Sequence, residues 1–262
     1  MCTLILLRRP GQAWPLLLAA NRDEMIDRPW AAPGRHWADR PETLAGLDRT
    51  AEGSWLGIND HGVVAAILNR QGSLGPAADK RSRGELVLEA LDHADAAVAA
   101  EALADLNPAA YRSFNLVVAD NRDAYWIKNP GGPEARVMEV RPIAEGLSMM
   151  TAYDLNDPAS PRTRRHLEDL RAAGVPDPDR GDWRAWQAIM TRSAAGDPDA
   201  PPEAAMTVDL GGFQTVSSSL IALPAAPLAP GEERPDPVWL FAPGRPDQHL
   251  YQPVNLAAAG TI

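Results

Sequence analysis

The chain commits to a sheet almost at its first residue. Thr3 to Arg8 and Trp14 to Ala20 are apolar runs of strand length, separated by the turn signal Pro10-Gly11-Gln12. A hairpin there places the N-terminus inside the fold rather than on a tail. It also sets Cys2, the one cysteine among 262 residues, at the start of the first strand. Arg8-Arg9 followed by an apolar run loosely suggests a twin-arginine export signal. However, Pro15 breaks that run, and Leu4 to Leu7 precede the arginines where such a signal is polar. The expectation is a cytoplasmic protein whose fold begins at residue 1 or 2.

Composition narrows the function classes. A lone cysteine forms neither an internal disulfide nor a Cys-cluster metal site. With 25 Lys+Arg against 35 Asp+Glu the formal charge is −10, which opposes binding to phosphate backbones. No window approaches the roughly 18 consecutive apolar residues of a membrane span. The partner expected is therefore a small molecule, not nucleic acid or bilayer.

Further along, a charged, Pro-punctuated loop is expected from Asn21 to about Thr50. Strands follow at Ser54–Ile58 and Val63–Leu68, around Asn59-Asp60-His61-Gly62. The apolar spacing of Leu86, Val87, Ala90, Leu91, Ala94, Val98, Leu103 and Leu106 predicts one amphipathic helix over Arg83–Leu106. A second hairpin is expected at Phe114–Ala119 and Ala124–Lys128, then strands at Arg136–Val140 and Gly146–Thr151. Helices are predicted at Thr163–Ala173 and Trp183–Arg192, and strands at Gln214–Leu223 and Val238–Phe241. Segments 175–181, 196–202 and 224–237 read as surface connections. Strands, helices, then strands is an α+β arrangement, expected as a single domain over 1–262.

The sequence has no phosphate-binding glycine loop, no dinucleotide fingerprint, no His-Glu-x-x-His and no Gly-x-Ser-x-Gly elbow. Its five histidines are scattered without ligand spacing and read as surface or capping residues. Neither a cofactor nor a metal is expected. What remains is Cys2. Methionine ahead of so small a residue is normally removed, which would leave Cys2 with a free α-amine. That amine, with a reference pKa of ~7.7–8.0 against ~8.5 for a thiol, is a built-in general base. The alternative is a small apolar residue packed on a first strand.

Met1-Cys2-Thr3-Leu4, two strands, and then Ala20-Asn21-Arg22-Asp23-Glu24 together resemble the NRDE family, also called the transport and Golgi organisation 2 (TANGO2) family. The likeness continues through Arg28-Pro29, the segment from Gly46 to Gly57, Gly62 and Asn69. It returns at Thr215 to Ser219, Phe241 to Gly244 and Tyr251. It is dense over residues 1–72 and sparse afterwards. The family is similar in layout to N-terminal nucleophile (Ntn) hydrolases, especially the cysteine group with bile-salt hydrolases and penicillin V acylases. The resemblance implies a four-layer αββα sandwich with the nucleophile at the end of a central strand.

It also implies roles. Cys2 would be the nucleophile, and Asp23 would accept a hydrogen bond from its α-amine, or else Asp23 is a turn residue. Asn69 would donate to the oxyanion, where one placed donor is worth ~2.7–4 kcal/mol, or else it too is a turn former. Arg22 would lower the thiol pKa or hold a substrate carboxylate, or simply pair with Glu24 or Asp27. Arg28 is a candidate substrate ligand, or a tie for the following loop. Trp55, with Trp30 and Trp37, would wall a pocket or fill the core. The second asparagine of bile-salt-hydrolase-like enzymes is missing, because the corresponding segment reads Leu147-Ser148-Met149-Met150, which leaves Asn156 or a backbone amide to replace it. The expected function is an N-terminal-cysteine hydrolase or acyltransferase acting on a non-peptide amide or thioester of a small acylated metabolite. The alternative is a non-catalytic protein of the same fold that binds or carries lipid, acyl-CoA or haem.

Overall fold

The computed structural model describes residues 2–132, 135–194, 200–226 and 235–257. The chain divides into two compact units, Met1–Asp27 with Glu145–Val254, and Arg28–Ala144 with Asn255–Ile262. Each carries one antiparallel sheet and two of the four α-helices among the described residues.

In the first unit, β1 (Thr3–Arg8) and β2 (Leu16–Met25) form the expected N-terminal hairpin. β10 (Gly146–Met150) pairs with β1, and β11 (Phe213–Leu223) with β2; β12 (Val238–Ala242) and β13 (Gln252–Pro253) complete the order β10-β1-β2-β11-β12-β13. The period-2 alternation gives β1 and β2 two apolar faces. Ile5, Leu17, Ala19, Met149, Leu220 and Ala222 meet Leu167, Leu170, Trp186, Ile189 and Met190 of α3 (Pro161–Ala172) and α4 (Arg184–Met190) in one core. Residues 3, 5, 7 and 17, 19, 21, 23 therefore lie on the helix-bearing face. Ser160 caps α3 by accepting from the Thr163 amide, and Pro161 occupies the first turn.

The second unit carries the sheet β3-β4-β5-β6-β7-β8-β9, formed by Trp30–Gly34, Thr43–Asp48, Leu56–Asn59, Val64–Asn69, Phe114–Ala119, Ala124–Asn129 and Glu139–Pro142. Its core joins Ala65, Leu116, Val118 and Ile127 to Leu86, Ala90, Ala99 and Leu103 of α1 (Glu85–Leu91) and α2 (Ala96–Ala104).

Two expectations give way here. The stretch 21–50 is not a loop, since it holds the end of β2 and all of β3 and β4. β3 is an edge strand whose register slips between Ala31 and Gly34, across Pro33. Edge position is where proline is tolerated in a sheet, and such a strand carries no clean alternation to read. The single helix over 83–106 is two helices, because the Asp95 carboxylate accepts from the Ala97 and Val98 amides and starts α2 afresh. The expected connections at 196–202 and 224–237 fall largely on 195–199 and 227–234, outside the described residues.

His166 also departs from expectation. It is buried in α3, not on the surface, with Nε2 donating to the Ala204 carbonyl at 2.8 Å. Burial, outweighing that hydrogen bond, lowers its pKa from 6.5 to about 4. The unfolded chain takes up a proton near pH 6.5 that the folded chain refuses until about pH 4. Stability contributed by this site is thus full above pH 6.5 and falls as pH drops from 6.5 toward 4. His166→Gln keeps a donor but cannot titrate. Its urea midpoint should fall less than that of the wild type between pH 7.5 and 5, and equal falls would refute this assignment.

Candidate active site

Cys2 stands one residue before β1 and is half-buried. Its thiol donates to the backbone carbonyl of Asp23 across the hairpin, at 3.6 Å. Thr3 pairs with Asn21, so the register sets Cys2 opposite Arg22 and one residue from Asp23, within reach of the Asp23 carbonyl. Burial raises the thiol pKa above its ordinary value and the Asp23 charge adds to the rise, while Arg22 opposes it. Arg22 thus acts in the expected direction, but burial outweighs it. The Arg22 side chain is itself buried and lies 3.8 Å from the Glu24 carboxylate.

The carboxylate of Asp23 is fully buried on the helix-bearing face of the sheet. Thr215 Oγ donates to Oδ1 at 2.6 Å, and Arg162 Nη1 donates to Oδ2 at 3.2 Å. The same Nη1 also donates to the hydroxyl of Thr3. Thr215 meets Asp23 because of a β-bulge. β11 pairs Ser217 with Arg22 and Thr215 with Asp23, and Val216 is skipped. Without the bulge, Val216 would stand opposite the carboxylate; a bulge re-aims a side chain in this way.

The remaining residues singled out in the sequence take different places. Asn21 is structural: Nδ2 donates to the Met190 and Met206 carbonyls, and Oδ1 accepts from Ser218. Asn156, at φ 58°, closes the turn after β10 by accepting from the Met149 amide at 2.7 Å, and its Nδ2 lies 3.4 Å from Ser148 Oγ. Met149 points into the helix-side core, and Met150 is the residue that pairs with Leu4 across the sheet. Cys2, Arg22, Asp23 and Asn156 all belong to the first unit.

Asn69, Arg28 and Trp55 belong to the second. Asn69 ends β6, half-buried, opposite Phe114. Arg28 binds Asp48 through Nε and Nη2 at 2.9 and 2.7 Å, which ties down the start of that unit. Trp55 stacks edge-on against Trp30 and covers Gly46, where a Cβ would come within 2.3 Å of the indole. Among the described residues no group of His, Cys, Asp and Glu side chains is placed to hold a metal ion. No helix there is long and apolar enough to cross a membrane.

Arg162 and Thr215 are the site residues that sequence reasoning missed. The only local signals were the Ser160-Pro161 helix start, which orients residue 162, and the Thr215–Ser219 segment, which has strand character but no hint of a bulge.

Comparison with known proteins bears on the family and the fold. The model of the Transport and Golgi organisation 2 family matches residues 1–174. Transport and Golgi organisation protein 2 homologues of Bos taurus and Homo sapiens are each 37% identical over 113 residues, which is 41% of this chain. The matched stretch spans 40% of the length of those relatives. Among solved structures, a Caenorhabditis elegans N-acylethanolamine-hydrolyzing acid amidase ortholog superposes with a TM-score of 0.54 at 13% identity, covering 90% of this chain and 98% of that one. Penicillin V acylase from Agrobacterium tumefaciens gives 0.51 at 12%, covering 92% and 83%. A conjugated bile acid hydrolase from Clostridium perfringens gives 0.50 at 11%, covering 100% and 99%. At such identities the likeness is one of fold: the α+β fold of Ntn-hydrolase-type acylases.

Proposed function

The chain belongs to the Transport and Golgi organisation 2 family, and from that premise we propose that it is an N-terminal-cysteine amidohydrolase acting on a small acylated metabolite, with Cys2 as nucleophile once Met1 is removed. The observation that carries this reading is the convergence of the Cys2 thiol on Asp23, whose carboxylate is buried and fixed by Arg162 and Thr215. The amidase, acylase and hydrolase among the fold neighbours supply the reaction class, which is cleavage of an acyl bond.

The chemistry balances on Cys2 alone. The thiol passes its proton to the α-amine of the same residue, and sulfur forms a bond to the substrate carbonyl carbon. The resulting ammonium returns the proton to the leaving nitrogen as the C–N bond breaks, leaving a thioester and a free amine. Water then attacks the thioester carbon with the same amine as base, which releases the carboxylic acid and restores the thiol. If an alcohol or amine takes the place of water, the outcome is acyl transfer. Asp23, its carboxylate fixed by Arg162 and Thr215, accepts a hydrogen bond from the α-amine and orients it, and the Arg22 charge next to the thiol favours the thiolate.

The test uses untagged protein, an activated acyl ester and intact mass. Wild type should lack Met1 and gain one acyl mass, removable by hydroxylamine as befits a thioester, whereas Cys2→Ala should gain none. Retention of Met1, or equal labelling of the two proteins, would sink the proposal. Tight binding of the acyl compound without an adduct in either protein would instead favour a carrier.

A further inference from the structure

We propose that Arg162 is the positioning residue of the Cys2 site. From α3 it fixes the Asp23 carboxylate and Thr3 in one arrangement, and so sets the direction in which Asp23 meets the Cys2 amine. This rests on the amidohydrolase reading above. Three observations carry it.

The first is geometry at a single atom. Nη1 of Arg162 donates both to Thr3 Oγ1 and to Asp23 Oδ2. Thr3 is the covalent neighbour of Cys2, and Asp23 offers its backbone carbonyl to the Cys2 thiol. One nitrogen therefore links the strand that bears the nucleophile to the carboxylate beside it. The second is that the cluster closes on the other side. Oδ1 of Asp23 is taken by Thr215, whose Oγ also accepts from the Val208 amide at 3.0 Å. The carboxylate is held at both oxygens and from two elements, α3 and the bulge of β11, so it has little freedom to rotate.

The third is burial. The Arg162 and Asp23 side chains are exposed by 1% and 0%. A buried ion pair is seldom more stabilising than packed apolar residues of the same volume, so stability alone does not account for placing this one under a nucleophile. Arginine suits the task better than lysine, because its planar guanidinium holds several donors in fixed directions while an ammonium rotates on a flexible stem. The helix start contributes as well. The Ser160 cap and Pro161 fix the first turn of α3, so Arg162 leaves the helix in a defined direction.

The experiment measures the rate of acyl-adduct formation at Cys2 by intact mass in untagged, Met1-free protein, with near-UV circular dichroism to verify folding. Arg162→Gln should slow acylation about a hundredfold, the scale of loss expected from a misplacement of about 1 Å. Arg162→Lys, which keeps the cation, should recover part of the loss. Iodoacetamide, which needs no oriented base, should still alkylate Cys2 fully in all of them. Should Arg162→Gln not fold, Thr215→Val frees one oxygen of the same carboxylate without touching a charge, and it should slow acylation in the same sense. A folded Arg162→Gln or Thr215→Val protein that acylates at the wild-type rate overturns the positioning role alone. Equal labelling of wild type and Cys2→Ala overturns the amidohydrolase reading and this inference with it.

Discussion

Placing one glycine between Met1 and Cys2 is expected to reduce acylation of Cys2 by about 10²- to 10⁴-fold, the range assigned to a positioned general acid or base. The insertion leaves the thiol, Asp23, Arg162 and both hydroxyls in the chain, but converts the Cys2 amine to an amide that accepts no proton. The effect should be large because burial, with the Asp23 charge, raises the thiol pKa. Little thiolate then exists at neutral pH without a base beside it. Acylation kinetics by intact mass at pH 7.5 measure the loss, and iodoacetamide alkylation verifies that the thiol remains accessible. A similar deficit for acylation and alkylation would mean that the added residue only blocks access. Acylation within a factor of about three of wild type would remove the amine from the mechanism.

The parts of this site legible in the sequence are those fixed by local patterns. A hairpin of two apolar strands around Pro10-Gly11-Gln12 places Cys2 opposite the stretch from Asn21 to Asp23, because strand pairing has a period and a turn sets the register. The same logic gives β5 to β8. The misread pieces are those where long-range terms decide. Trp30–Gly34 has no alternation of its own and becomes a strand by pairing with Thr43–Asp48. Asp95 sits within a continuous apolar helical pattern, yet its carboxylate caps a new helix. Arg162 and Thr215 lie 139 and 192 residues from Asp23, so no window of sequence could join them to it. Arg162 in particular resembles an ordinary surface arginine on a charged helix, with Arg164 and Arg165 beside it. Only the fold shows that its side points at the sheet. The candidate site is thus split between a legible half, which supplies the proposed nucleophile, and a hidden half, which holds the Asp23 carboxylate in place.

Breaking that hidden half should also cost stability. Arg162→Met leaves the Asp23 carboxylate buried and deprives it of the Arg162 cation. Removing one member of a buried ion pair costs about 3–5 kcal/mol, because the remaining charge is left uncompensated. For a protein of this size that corresponds to roughly 6–20 °C in thermal midpoint. Asp23→Asn alone strands the arginine and should cost a comparable amount. The double variant Asp23→Asn/Arg162→Met removes both charges, and an amide oxygen there can still accept from Thr215. Its midpoint should therefore lie above that of either single variant, with a coupling energy at the upper end of the roughly 0.5–3 kcal/mol seen for contacting residues. Stability and function then separate. The double variant should regain folding while acylation of Cys2 stays lost, as the proposed role of the Asp23 carboxylate in orienting the amine requires. Additive midpoints would mean that the pair is not energetically coupled. Recovered acylation in the double variant would mean that the Asp23 charge takes no part in the chemistry.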